Sequence, residues 1–261
     1  MRTVRTGPVI GLIGQVVLLA ALAGTVGLGA AGWLAGLAYG VITCAALTWG
    51  LNQSGVGGLG PANRVTLTRA TLIGGVAALA ADAFARPTPI VVLVALAVVA
   101  LALDGVDGQV ARRTGTTSAL GARFDMEVDA FLILVLSLCV ARSTGGWVLA
   151  IGAMRYAYVV ASWALPWLRE SVPPRYWRKA VAAIQGIVLV FAAADVLPRL
   201  LLSVVLAVAL ALLVESFRSC VVWLWSHRSV ESGLEAGSLR RASRQIPFAP
   251  RRVQPTAAAI Q

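Results

Sequence analysis

Only 11 carboxylates occur in the 261 residues of this chain, and five of them fall between Asp104 and Asp129. Asp104 and Asp107 are spaced i, i+3, and Gly121, Asp125 and Asp129 follow at successive i+4 steps, so on helices each set occupies one face. Two helices joined by a tight loop would aim four carboxylates at one point. Four like charges in a partly dry site resist ionising together unless cations neutralise them, and a bound divalent metal does this most simply. With no histidine or cysteine in the set, all-oxygen ligands favour Mg²⁺ or Mn²⁺ over zinc or copper. Gly108 and Ala111 continue the Asp104 face with almost no side chain, which leaves room for a phosphate, a ribose or a base, and Arg112 adds a fork-shaped donor suited to phosphate. Metals against a pyrophosphate would stabilise charge on attacking and leaving oxygens, and Asp129, four residues beyond Asp125, is placed to take a proton. A solvated loop would need neither the small-residue faces nor the i+4 repeat. Glu127 breaks that repeat, points away from Asp125 and Asp129, and reads as a surface charge or a partner for Arg123.

The elements that must carry these residues are membrane helices. The chain is 59% apolar and 13% charged, against roughly 45–50% and about 25% for a soluble domain. A net charge of +11, from 22 basic and 11 acidic residues, fits either nucleic acid or a membrane as partner. Hydropathy decides for the membrane, because apolar runs near the ~20 residues that cross a bilayer recur along the chain. They lie at about 9–28, 31–50, 66–84, 88–107, 124–142, 146–167, 179–197 and 200–226, which predicts an all-α, polytopic membrane helix bundle. With the N-terminus inside, 17 of the 22 basic residues fall on inner segments and three, Arg86, Arg142 and Arg199, in outer loops. This asymmetry predicts cytoplasmic termini and assigns the basic charge to orientation and anionic lipid, with no nucleic acid as partner. Cys44, Cys139 and Cys220 show no CxxC spacing and His227 is the sole histidine, which argues against a disulfide framework or a zinc site. Residues 51–65 read as a flexible joint, and residues 227–261, without an apolar period, as a disordered basic cytoplasmic tail.

The run Asp104-x-x-Asp107-Gly108-x-x-Ala111-Arg112, eight further residues, then Gly121-x-x-x-Asp125-x-x-x-Asp129 resembles, position for position, the signature of the CDP-alcohol phosphatidyltransferase family, integral membrane enzymes of phospholipid synthesis. Pro61-Ala62-Asn63-Arg64-Val65-Thr66-Leu67 is similar to the short interfacial segment before that family's first core helix. The resemblance implies a six-helix core over residues 61–226, preceded by an N-terminal transmembrane pair at 1–55 and followed by the tail at 227–261. It also implies a bacterial inner-membrane enzyme, a homodimer, with its site at the cytoplasmic face. The donor would be a CDP-linked lipid, usually CDP-diacylglycerol, and a small alcohol or alcohol-phosphate acceptor would displace CMP. By the same resemblance, Asp104, Asp107 and Asp125 are ligands of a two-metal Mg²⁺ or Mn²⁺ site, which Asp129 completes while accepting the hydroxyl proton. Gly108 and Arg112 match positions that hold the nucleotide diphosphate, Ser118 a small hydroxyl residue there, and Asn63 and Thr66 a nucleotide contact; Ala111 and Gly121 belong to the same signature. Two alternatives remain: a CDP-linked small alcohol transferred onto diacylglycerol, or a cation transporter, which would carry metal without releasing CMP.

Arg155, within the sixth span, either reaches into the cavity for an acceptor phosphate or pairs with a carboxylate or carbonyl. Arg178 and Lys179, with Gln185, partly resemble a pattern of relatives that use glycerol phosphate, with Val181 and Ala182 replacing its second lysine and its threonine. The acceptor therefore stays open. Asp82 with Arg86 and Asp195 with Arg199 are spaced as structural i, i+4 pairs at outer span ends, and Glu215 with Arg218 is either a structural pair or a second acceptor group.

Overall fold

A backbone inside lipid has no water to pair with, and the helix satisfies its N–H and C=O groups within one segment. The computed structural model describes residues 6–54, 61–87, 89–114, 118–169 and 176–244, apart from the side chains at 6, 54, 61–62, 107–108, 110–114, 119, 176 and 227–244. Its α-helices are α1 (Thr6–Val26), α2 (Ala30–Ser54), α3 (Pro61–Asp82), α4 (Ile90–Thr114), α5 (Ala119–Thr144), α6 (Leu149–Ala164), α7 (Tyr176–Ala193) and α8 (Arg199–Arg244). Their number and order agree with the apolar runs, and no strand occurs among the described residues. The protein is a polytopic helical membrane bundle.

Among the described residues, five helices are long and apolar enough to cross a bilayer, over Gly7–Val26, Ala30–Gln53, Asn63–Asp82, Gly146–Ala164 and Arg199–Ser226. Among the described residues α4 holds a shorter apolar stretch over Ile90–Val106, α5 carries Arg123, Asp125, Glu127 and Asp129 in its first turns, and α7 carries Arg178 and Lys179 in its first turn.

Two boundaries also differ from expectation. The segment from Pro61 to Leu67 is the opening of α3 itself rather than a stretch before it, as suits proline at the first helical position. At the other end α8 continues past Ser226 to Arg244, so residues 227–244 are helical where an unstructured tail was expected. Glu231, Leu234, Glu235, Ala236, Leu239 and Arg240 are good helix formers that can extend a helix already nucleated in the bilayer. Residues 245–261 lie outside the described residues, as does the middle of the expected joint, at 55–60.

The centre of the bundle is α3, which packs against α1, α2, α4 and α5. Of its span window 61% is buried inside the protein, against 28% or less for the other four. Ala70, Gly74, Gly75, Ala77, Ala78 and Ala80 give it the small face that lets helices approach closely without a hydrophobic driving force. Leu19 and Leu22 of α1 share one buried cluster with Ile73, Leu132, Leu136, Leu189 and Leu206, so the N-terminal pair packs as part of the core. At the C-terminal end of α3, Asp82 accepts the Gly29 N–H at 3.0 Å and Arg86 donates to the Gly27 carbonyl at 2.7 Å, both tying down the α1–α2 turn. The expected Asp195–Arg199 helical pairing is corrected: α7 ends at Ala193, Asp195 turns the chain at φ 52°, and α8 begins only at Arg199. Glu215 and Arg218 do form a bidentate pair, at 2.7 and 3.0 Å.

Candidate active site

Three helix ends converge on the acidic segment. Asp104 comes from α4, and Asp125 with Asp129, one turn apart, from the start of α5; each offers an oxygen within 4.8 Å of the others. Asp107, one turn beyond Asp104 on α4, and Gly108, Ala111 and Arg112 lie among residues whose side chains fall outside the described set.

A fourth residue joins the carboxylates. Arg69 of α3, 0% exposed, bridges Asp104 at 3.1 Å and Asp125 at 2.5 Å through Nη1, and Asp129 through Nη2. The three carboxylates it holds are 42%, 35% and 37% exposed, so the guanidinium closes the site from its buried side and the opposite side is accessible. An unpaired guanidinium buried this deeply would cost several kcal/mol; contact with three carboxylates offsets that. From sequence, Arg69 had counted only towards orientation. A signal was present: it lies three residues after Thr66 and four before Ile73, on the face that α3 buries, where a cation needs a partner.

At the mouth, Ser118 caps α5 by accepting the Gly121 N–H at 3.0 Å. The Asn63 Oδ1 atom lies where a side chain on residue 121 would have to go, so Gly121 is glycine because α3 and α5 meet there. Thr66, one turn beyond Asn63, is 4% exposed. The structure thus gathers Asn63, Ser118 and Gly121 at the end of α5 that also carries Asp125.

Two of the basic residues considered for the acceptor, Arg155 and Arg178, have separate partners. Arg155 is paired with Glu127 across α5 and α6, which corrects Arg123 as the expected partner of Glu127 and follows from α6 packing on α5. Arg178 donates to the Cys220 sulfur at 3.7 Å, which also lies 4.0 Å from the Tyr158 hydroxyl. Lys179 is exposed. Gln185 donates to the Ala209 carbonyl at 2.8 Å and ties α7 to α8.

A converging, part-exposed set of carboxylate oxygens without nitrogen or sulfur ligands fits a hard divalent cation. The residues present therefore suit the metal that the acidic spacing implies. A family model described as CDP-alcohol phosphatidyltransferase matches residues 60–215, which include every residue of this cluster. No curated protein and no solved structure matched the chain.

Proposed function

From its membership of the CDP-alcohol phosphatidyltransferase family, which transfers a phospho-alcohol group from a CDP-alcohol in phospholipid synthesis, we propose that this protein moves a phosphatidyl group from CDP-diacylglycerol to a hydroxyl acceptor and releases CMP. The observation that carries the proposal is the meeting of Asp104, Asp125 and Asp129 within 4.8 Å at the junction of α4 and α5.

In this mechanism Asp104, Asp125 and Asp129, with Asp107 by its spacing, would hold Mg²⁺ or Mn²⁺. Bound there, a pair of such ions supplies charge neutralisation to the pyrophosphate. Asn63, Ser118 and the bare Gly121 backbone form the edge against which the nucleotide rests, with Thr66 buried one turn behind Asn63, and the family motif assigns Gly108 and Arg112 to its diphosphate. The acceptor oxygen attacks the β-phosphorus while the bond from that phosphorus to the bridging oxygen breaks and its electrons leave on CMP. Asp129 takes the acceptor proton. Arg155, Arg178 and Lys179 are the basic groups available to a phosphorylated acceptor. All eight helices cross or dip into a bacterial inner membrane, with both termini and the site at the cytoplasmic face, in a homodimer.

The test is CMP release by the purified protein from CDP-diacylglycerol with a panel of alcohols and alcohol phosphates, set beside CDP-linked small alcohols offered with diacylglycerol. The expected result is turnover with the lipid donor, abolished by chelation and by Asp129→Asn. An Asp129→Asn protein releasing CMP at the wild-type rate would exclude Asp129 as the base, and turnover only with the small-alcohol donor would reverse the assigned direction.

A further inference from the structure

We propose that Arg69 is a built-in counter-cation of the carboxylate site: it holds Asp104, Asp125 and Asp129 together from the buried side when no metal is bound, and its charge sets how tightly the site takes a divalent metal. The inference rests on the metal-site reading above and adds a residue outside the acidic signature. Three geometric facts carry it. The guanidinium meets Oδ1 of all three carboxylates, on two helices, from a third. It is fully buried while the carboxylates are part-exposed, so a metal arriving from the accessible side and the guanidinium on the buried side address the same carboxylates together. Its place is also fixed from behind, because Ala70 and Ile73 of the same helix are buried in the core at 1% and 0% exposure.

The physical consequence follows from charge. Without a cation, three carboxylates this close repel one another and push α4 and α5 apart. Arg69 removes much of that repulsion in the metal-free protein, so the site is preformed when donor and metal arrive. A divalent ion does the same work on the same groups, and the two cations repel each other across them. Arg69 is therefore a positioning residue: it acts on substrate through the carboxylates.

The test needs no turnover. Wild type, Arg69→Gln and Arg69→Lys in detergent micelles are compared by thermal unfolding in EDTA and in Mn²⁺, and by Mn²⁺ titration followed by electron paramagnetic resonance. Arg69→Gln is expected to lose thermal stability in EDTA, to regain most of the loss in Mn²⁺, and to bind Mn²⁺ about tenfold more tightly because a like charge has gone. Arg69→Lys keeps the charge but loses the fork; it should show a smaller deficit in EDTA, also repaired by Mn²⁺, with Mn²⁺ affinity within about threefold of wild type. A deficit that Mn²⁺ leaves untouched in either variant would mark Arg69 as ordinary core packing and overturn the proposal, as would unchanged or weaker Mn²⁺ binding by Arg69→Gln. Absence of Mn²⁺ binding by the wild type would instead sink the metal reading itself, and the role of Arg69 with it.

Discussion

Gly121→Ala separates the architecture of the site from its stability. The new methyl would lie against Asn63 Oδ1, closer than real contacts allow, and 3.0 Å from the Ser118 oxygen that caps α5. Two effects on folding oppose one another. Alanine in place of glycine in a helix contributes up to about 1 kcal/mol, whereas crowding two packed side chains costs about 1–3 kcal/mol, including the ~1 kcal/mol value of an N-cap. The net change runs from about zero to a destabilisation of about 3 kcal/mol, below the roughly 5–15 kcal/mol by which folded domains are stable. Its activity should suffer more visibly. Relief of the clash moves the Asn63 carboxamide away from the mouth, and the loss of one hydrogen bond to the nucleotide, about 1.4 kcal/mol, is tenfold in kcat/KM. The change should appear in KM for the CDP-linked donor. Gly24→Ala in α1, where the added methyl meets nothing within 4 Å, should be at least as stable as wild type and equally active. The assay is CMP release at varied donor concentration, with unfolding in detergent followed alongside. A Gly121→Ala protein with wild-type KM and kcat would refute the claim that Asn63 and Gly121 form the nucleotide edge.

Three other substitutions probe the surroundings of the site. Gly152→Ala would place a methyl 2.6 Å from the Leu134 Cα; backbone cannot rotate aside, so α5 and α6 must separate, and the melting temperature should fall by the equivalent of about 1–3 kcal/mol with donor KM nearly unchanged. The Glu127–Arg155 pair is 54% and 31% exposed and is worth under about 1 kcal/mol. Glu127→Gln should therefore be almost silent in stability and turnover, and a rise in acceptor KM with Arg155→Met but not with Glu127→Gln would assign Arg155 a role beyond the pair.

The acidic cluster was legible because helical periodicity fixes which side chains share a face: Asp125 and Asp129 are one turn apart whatever surrounds them, and the loop between α4 and α5 is too short to keep Asp104 away. The number and order of helices followed from apolar runs for a similar reason, since the bilayer imposes a length. Arg69 was not legible as a site residue because its role comes from which helix packs at the centre. Its nearest partner in sequence, Asp104, is 35 residues away, and basic charge near a span end has an ordinary explanation in orientation. Glu127 is the exposed charge that its break from the i+4 repeat suggests, but its partner is not Arg123, its neighbour along the chain: Arg155 arrives only when α6 folds back on α5. The helical extension of α8 beyond Ser226 escaped because the polar sequence there shows no apolar stripe.

Because α3 supplies both Asn63 at the mouth and Arg69 beneath the carboxylates, whatever fixes α3 fixes the site. The two N-terminal helices, which both pack on α3, help to do so. Leu67 of α3 lies against Gly11 and Thr71 against Gly14, both on α1, each two residues, about half a turn, from Arg69. Meanwhile α2 reaches α5 at two levels: Tyr39 stacks on Phe131 with ring centroids 4.5 Å apart, and Gly50 packs under Leu120, the residue before Gly121. The pair therefore grips both helices whose spacing sets the distance between Arg69 and Asp125. A guanidinium held by three carboxylates can keep its place only if its helix cannot slide along its axis, since one residue of register moves it about 1.5 Å, enough to break the fork. Small residues at these contacts allow the close approach that resists such sliding, which gives the helices ahead of the matched region a physical reason to be there.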